Sequence, residues 1–155
     1  MARHFPLKPL VGYAQNQTDD AARHLNELKK LWQAAEEKLR QLIAYRGEYR
    51  DRLSLAESRG LSVTAWRDYQ IFMAKLDGAI DMQQGEVLTC LQRWEHGREL
   101  WMLQQRKLKA YQTLSKRHDQ REMQRESKME QREQDEFARH SFDRQQRKDE
   151  GDGGG

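Results

Sequence analysis

Apolar and aromatic side chains recur at alternating steps of three and four residues from Val11 to Ala56, and a second such run follows a single break around Gly60. The first run reads Val11, Ala14, Thr18, Ala21, Leu25, Leu28, Trp32, Ala35, Leu39, Leu42, Arg46, Tyr49, Leu53, Ala56, and only Thr18 and Arg46 are not apolar or aromatic. Such steps average about 3.5 residues, the period of a stripe along which two helices wind around each other to the left. A chain patterned this way predicts a rod of paired helices. A rod has nowhere to build a deep pocket, so its function points to contact with other proteins.

Composition agrees with a seam and opposes a thick core. Charged residues make up 34% of the 155 positions and hydrophobic ones 36%, enough to cover a narrow interface but not a globular interior. Glu, Lys, Arg, Gln and Leu dominate and favour helix, and no alternating run of β-branched residues predicts a strand. The net charge of +3 comes from 28 basic and 25 acidic residues of interspersed sign, which reads as a solvated helix surface. Arg93 to Arg117 is the most basic stretch, with Arg93, Arg98, Arg106, Lys107, Lys109, Lys116 and Arg117 facing only Glu95 and Glu99. With so small an overall excess, an acidic protein is a better partner for it than nucleic acid. Cys90 is the single cysteine, which fits a reducing cytoplasm. Met1 to Leu10 lacks the apolar run of a signal peptide, and no segment reaches the roughly 20 apolar residues that span a bilayer. The expectation is a soluble protein.

The fold class expected is all-α: two long helices in an antiparallel coiled-coil hairpin with a C-terminal helical overhang. Pro6 and Pro9 keep an N-terminal segment, about residues 1–9, extended and permit a helix just after. Helix 1 then covers about 10–57, starting before the alternative cap at Thr18-Asp19-Asp20. A turn at 58–62 follows, where Gly60 takes a left-handed conformation and Ser62 caps helix 2, about 63–148. Residues 149–155 form a flexible tail. The second seam reads Trp66, Tyr69, Met73, Leu76, Ile80, Gln83, Val87, Leu91, Trp94, Arg98, Trp101, Gln105, Leu108, with a stutter at Val87–Leu91 that unwinds the supercoil locally. Gly78, Gly85 and Gly97 soften helix 2 without breaking it, and Trp32, Trp66, Trp94 and Trp101 are read as core packing. Helix rise alone sets opposed residues at numbers summing to about 121. Everything past Tyr111 then lacks a partner. From Lys116 to Glu150 the chain carries ten basic and ten acidic residues, and this overhang is a marginal helix about 50 Å long.

Catalysis has no foothold in these residues. Phosphate loops, nucleophile elbows and paired metal-ligand cysteines are missing. His96, His118 and His140 share a helix face but stand about 33 Å apart, and Asp19-Asp20 and Glu36-Glu37 read as solvated or capping carboxylates. No cofactor is implied. Near the fold, Leu42, Tyr45 and Tyr49 share one face of helix 1, and Phe72, Leu76 and Ala79 one face of helix 2. The sum rule sets Tyr49 beside Phe72, Tyr45 beside Leu76 and Leu42 beside Ala79. Tyr45, Phe72 and Ala79 border the main seam, so the group reads either as a docking strip on the flank or as a broadened seam covering itself.

The stretches Asp19-Asp20-Ala21-Ala22-Arg23, Ala35-Glu36-Glu37, Glu48-Tyr49-Arg50, Trp66-x-x-Tyr69-Gln70-x-Phe72 and Asp135-Glu136-Phe137-Ala138, taken in order and spacing, resemble the flagellar FliJ family from about Met1 to Lys148. The resemblance implies a coiled-coil component of the flagellar type III export apparatus, similar to the central stalk of rotary ATPases. Its implied partners are the hexameric export ATPase FliI, the export-gate protein FlhA and emptied export chaperones, with a cytoplasmic location peripheral to the inner membrane at the flagellar base. The family's gate-binding surface corresponds to Leu42, Tyr45, Tyr49, Phe72, Leu76 and Ala79, while the adjoining Lys38 and Gln83 depart from residues common there. The end carrying the termini, with Asp135, Glu136, Phe137 and Ala138, is the implied contact to the ATPase ring. The related stalk of a virulence-type secretion system shares this architecture. A basic coiled-coil nucleic-acid binder using Arg93 to Arg117 and a purely structural spacer are the readings from other classes.

Overall fold

The computed structural model describes residues 7–153 and consists of two helices, α1 (Leu7–Arg59) and α2 (Val63–Asp152), with no strand among the described residues. The chain divides into two compact units, Tyr13–Leu108 and Met1–Gly12 with Lys109–Gly155. In the first of these units, α1 and α2 pack against each other as an antiparallel hairpin.

The turn is built from the residues its sequence predicts. Gly60 has φ 88°, a conformation that a side chain disfavours, and its N–H bonds the Glu57 carbonyl at 3.2 Å. Ser62 then caps α2: its Oγ accepts from the Ala65 N–H at 3.1 Å and its carbonyl from the Trp66 N–H at 2.9 Å. The helices are longer than their sequence signals. α1 begins at Leu7 rather than near 10, because Pro9 falls in the first turn, where an N–H has no helical acceptor to lose. α2 continues to Asp152 instead of giving way to a tail at 149. The rest of the expected extended segment, residues 1–6, and the final Gly154 and Gly155 lie outside the described residues.

All fourteen α1 seam positions from Val11 to Ala56 are buried or half-buried. The polar residues among them are accommodated by specific bonds. Thr18 Oγ1 donates to the Ala14 carbonyl at 2.8 Å, which places Thr18 inside the helix rather than at a start. Arg46 donates to Asp77 across the hairpin at 3.2 Å. On α2, the buried Gln83 donates its Nε2 to the Ala35 carbonyl at 2.9 Å.

The α2 seam departs from its sequence reading at three places. Trp66 is 45% exposed, because it stands at the edge of the stripe facing α1, where the neighbouring Ala65 is half-buried instead. Arg98 is exposed; its guanidinium lies over the Trp94 ring, 5.8 Å from the centroid. The stutter at Val87–Leu91 is not needed. The covered line runs Val87, Cys90, Trp94, Gly97, Trp101, Gln104, Leu108, with Cys90, Gly97 and Leu108 buried, and keeps steps of three and four throughout.

Gly97 is at this point a close-contact residue rather than a soft spot. A Cβ there would stand 2.6 Å from Leu28 Cδ1 and 3.6 Å from Leu25 Cδ1. Nearby, the Trp32 and Trp94 rings meet with centroids 5.4 Å apart. Across the hairpin the contacting pairs Tyr49–Phe72, Tyr49–Tyr69, Arg46–Asp77, Ala35–Gln83 and Trp32–Trp94 have numbers summing to within about five of the expected 121.

In the other unit, Leu7, Leu10, Val11, Tyr111, Ser115, His118 and Glu122 are half-buried. Coverage thus continues past Tyr111. His118 approaches Glu122 at 4.0 Å, and every described residue from Met123 onward is exposed.

Two stability measurements follow. Gly85 has open space around its Cβ position, so Gly85→Ala should add up to about 1 kcal/mol to the unfolding free energy in urea through helix propensity. Gly97→Ala should gain less than that or lose stability, because Leu28 must yield. Burial, then the nearby Glu86 carboxylate, push the Cys90 thiol above its ordinary range. The native state therefore holds this proton more tightly than the unfolded chain. Stability is full below the unfolded thiol's value and should fall as pH rises past about 8.5, a loss that Cys90→Ala removes.

Candidate partner-binding site

Helix periodicity sets Tyr45 and Tyr49 one turn apart on α1, and the hairpin register brings Phe72 between them from α2. Tyr49 and Phe72 meet with centroids 4.3 Å apart; Tyr45 meets Phe72 edge-on at 6.2 Å and Tyr49 at 6.3 Å. The cluster extends further than the sequence reading placed it. Tyr69 meets Tyr49 at a tilt with centroids 5.2 Å apart, so four rings form one contiguous group. The seam pattern alone accounts for Tyr69 in the sequence, although its place one turn before Phe72 and opposite Tyr49 carries the signal for the cluster.

Burial grades across this group. Tyr45 is 42% exposed, Leu76 only 6%, and Leu42, Tyr49, Phe72 and Ala79 are half-buried. The surface is therefore an aromatic ridge with Leu76 beneath it as a foundation. Tyr45 and the half-buried Tyr49 and Phe72 are its accessible part, whereas Leu76 is covered. Desolvation, followed by the neighbouring Tyr69 and Tyr45, pushes the Tyr49 phenol above its ordinary value, so this hydroxyl stays neutral near neutral pH. Arg46 and Asp77, joined across the hairpin, supply the nearby charge. Of the adjoining positions, Lys38 is exposed, but Gln83 is buried and turned into the seam.

The second set of predicted contact residues, Asp135, Glu136, Phe137 and Ala138, is exposed throughout, with Phe137 at 75%. Glu130, Glu133 and Gln134 flank Phe137 in a shallow depression. His96 and His140 are exposed and His118 half-buried. Among the described residues no group of three His, Cys, Asp or Glu side chains gathers to hold a metal ion, and no helix is long and apolar enough to cross a membrane.

Comparison with known proteins places these features in context. Residues 3–147 match the family model described as flagellar FliJ protein. Over 138 residues the chain is 35% identical to a flagellar FliJ protein of Salmonella typhi and 34% identical to one of Escherichia coli (strain K12). Each alignment covers 89% of this chain and 94% of the relative.

The grading of burial makes a testable distinction. Leu76→Ala should cost about 2–5 kcal/mol of unfolding free energy, as for other buried leucines, whereas Tyr45→Ala should cost about 1 kcal/mol or less, the scale of an edge-on ring contact. Urea unfolding followed by circular dichroism measures both.

Proposed function

The chain belongs to the flagellar FliJ family, and from that membership we propose that it is a non-enzymatic component of the flagellar type III export apparatus, joining the export ATPase to the export gate. The observation that carries this reading is the ridge of exposed Tyr45 with half-buried Tyr49 and Phe72 on a two-helix support. Rings held by their neighbours give large contact area at little entropic cost. Leu42, Tyr45, Tyr49, Phe72 and Ala79 face FlhA, and Leu76 holds the ridge in place.

The exposed segment beyond Met123 engages the FliI ring through Asp135, Glu136, Phe137 and Ala138. Its mixed charges and isolated apolar side chains do not cover one another, so a partner gains most by burying Phe137. Emptied export chaperones are further cargo of the same protein. These contacts imply a cytoplasmic position peripheral to the membrane, at the flagellar base. Both relatives bear flagellar names, which favours the flagellar apparatus over the virulence-type one.

Pull-downs separate the two contacts. A chain ending after Glu122 should lose FliI while retaining the FlhA cytoplasmic region, and the double change Tyr45→Ala and Phe72→Ala should do the reverse, with helicity checked by circular dichroism. Retention of FliI by the shortened chain, or of FlhA by the double variant, would remove the corresponding assignment.

A further inference from the structure

The closed end of the hairpin exposes apolar side chains that the seam does not use. Gly60, at φ 88°, ends α1, and Ser62 caps α2, leaving Leu61 between them. Leu61 lines two open grooves, one with Leu55, Ala56 and Arg59 and the other with Glu57, Val63 and Trp66. The apolar residues on its two sides therefore form one cap. Val63 is 71% exposed, Leu55 53% and Trp66 45%. A single exposed apolar residue is ordinary, but several gathered at one end of a hairpin mark a contact surface. The turn itself needs neither Val63 nor Trp66, because Gly60 and Ser62 supply its geometry.

Charge selects what this cap can meet. The stretch from Arg52 to Arg67 holds three arginines, the third being Arg59, and one carboxylate, Glu57. All four side chains are exposed, and none forms an ion pair among the described residues. With the bordering Arg50, Asp51 and Asp68 included, arginines still outnumber carboxylates by four to three. A stable protein contact takes roughly 800 Å² from each partner, far more than Leu55, Leu61, Val63 and Trp66 leave uncovered. An anionic phospholipid surface asks for less. Its interface accepts indole rings and short apolar side chains one at a time, while its headgroups attract arginine. No described helix is long and apolar enough to cross a membrane, so such a contact stays at headgroup depth.

We propose that the closed end of the hairpin docks on an anionic phospholipid bilayer, with Val63 and Trp66 entering the headgroup layer and Arg52, Arg59 and Arg67 meeting lipid phosphates. The contact uses none of Tyr45, Tyr49 and Phe72 and stands independently of the ridge reading. It adds lipid to the protein contacts given above. Glu57, the carboxylate beside Val63 and Trp66, opposes it.

The test is sedimentation of the full chain with vesicles of phosphatidylcholine, alone or mixed with phosphatidylglycerol. The unaltered chain should bind the mixed vesicles and hold phosphatidylcholine alone several-fold more weakly. Val63→Ser with Trp66→Ser should weaken binding to the mixed vesicles about tenfold, the effect of removing two apolar side chains from the contact. Glu57→Gln should strengthen it, and Tyr45→Ala should leave it unchanged. All these positions are exposed, and circular dichroism will check that each variant folds. A second readout is quenching of tryptophan emission by lipids that carry a nitroxide next to the headgroup. The unaltered chain should be quenched, whereas Trp66→Phe should still bind and lose most of the quenching, because Trp32, Trp94 and Trp101 are half-buried in the seam. Binding that ignores the Val63 and Trp66 changes would mean that the basic stretch Arg93 to Arg117 holds the lipid, and would overturn the proposal. Absence of binding, equal binding to both vesicles, or undiminished quenching of Trp66→Phe would overturn it as well.

Discussion

Close approach of α1 and α2 along a seam of small and ring-bearing side chains is the constraint on which the other features depend. At Gly97 there is no room for a Cβ beside Leu28, and close by the Trp32 and Trp94 rings meet. These contacts fix the register more tightly than hydrophobic matching alone, because sliding one helix by a turn would bring a side chain to the place that Gly97 leaves empty. The buried Gln83 adds a directional bond to the Ala35 carbonyl. A polar group at such a position sacrifices apolar contact and in return favours one alignment over others.

Register decides what the surface offers. With α1 and α2 held in this alignment, Phe72 falls between Tyr45 and Tyr49, and Tyr69 closes the group toward the turn. The rings are too many to be swallowed by a two-helix interface, which covers only a narrow stripe on each helix. Tyr45 remains at the edge while Leu76 is covered beneath. A solvent-bordering ridge of rings thus arises from the same packing that stabilises the hairpin. The long exposed stretch beyond Met123 has the opposite character: its residues are exposed throughout, and Phe137 is flanked by Glu130, Glu133 and Gln134 rather than by other rings.

Much of this was legible in the residues themselves. The α1 seam could be read position by position, because its stripe is written in large apolar side chains and only Thr18 and Arg46 interrupt it. The α2 seam was misread where the covering residue has little or no side chain to announce it. Leu91 outranked Cys90 as an apolar position, and glycine at 97 read as a defect in helix propensity although it serves close contact. Arg98 was given the seam position that belongs to Gly97, since pattern alone does not reveal a guanidinium lying over Trp94. Trp66 reads as a core residue by hydrophobicity, although the smaller Ala65 beside it is the more covered of the two. The ridge was legible as a face, but the groove at the turn was not, since it depends on how Leu61 folds back after Gly60.

The most direct test of this account is a solution NMR measurement of through-space contacts between the ring protons of Tyr49 and Phe72, which lie in different helices. Cross-peaks between these rings, accompanied by contacts from Leu28 methyls to the Gly97 α-protons, are the predicted result. Their absence, with Tyr49 showing contacts only to residues of its own helix, would contradict both the register and the ridge that depends on it.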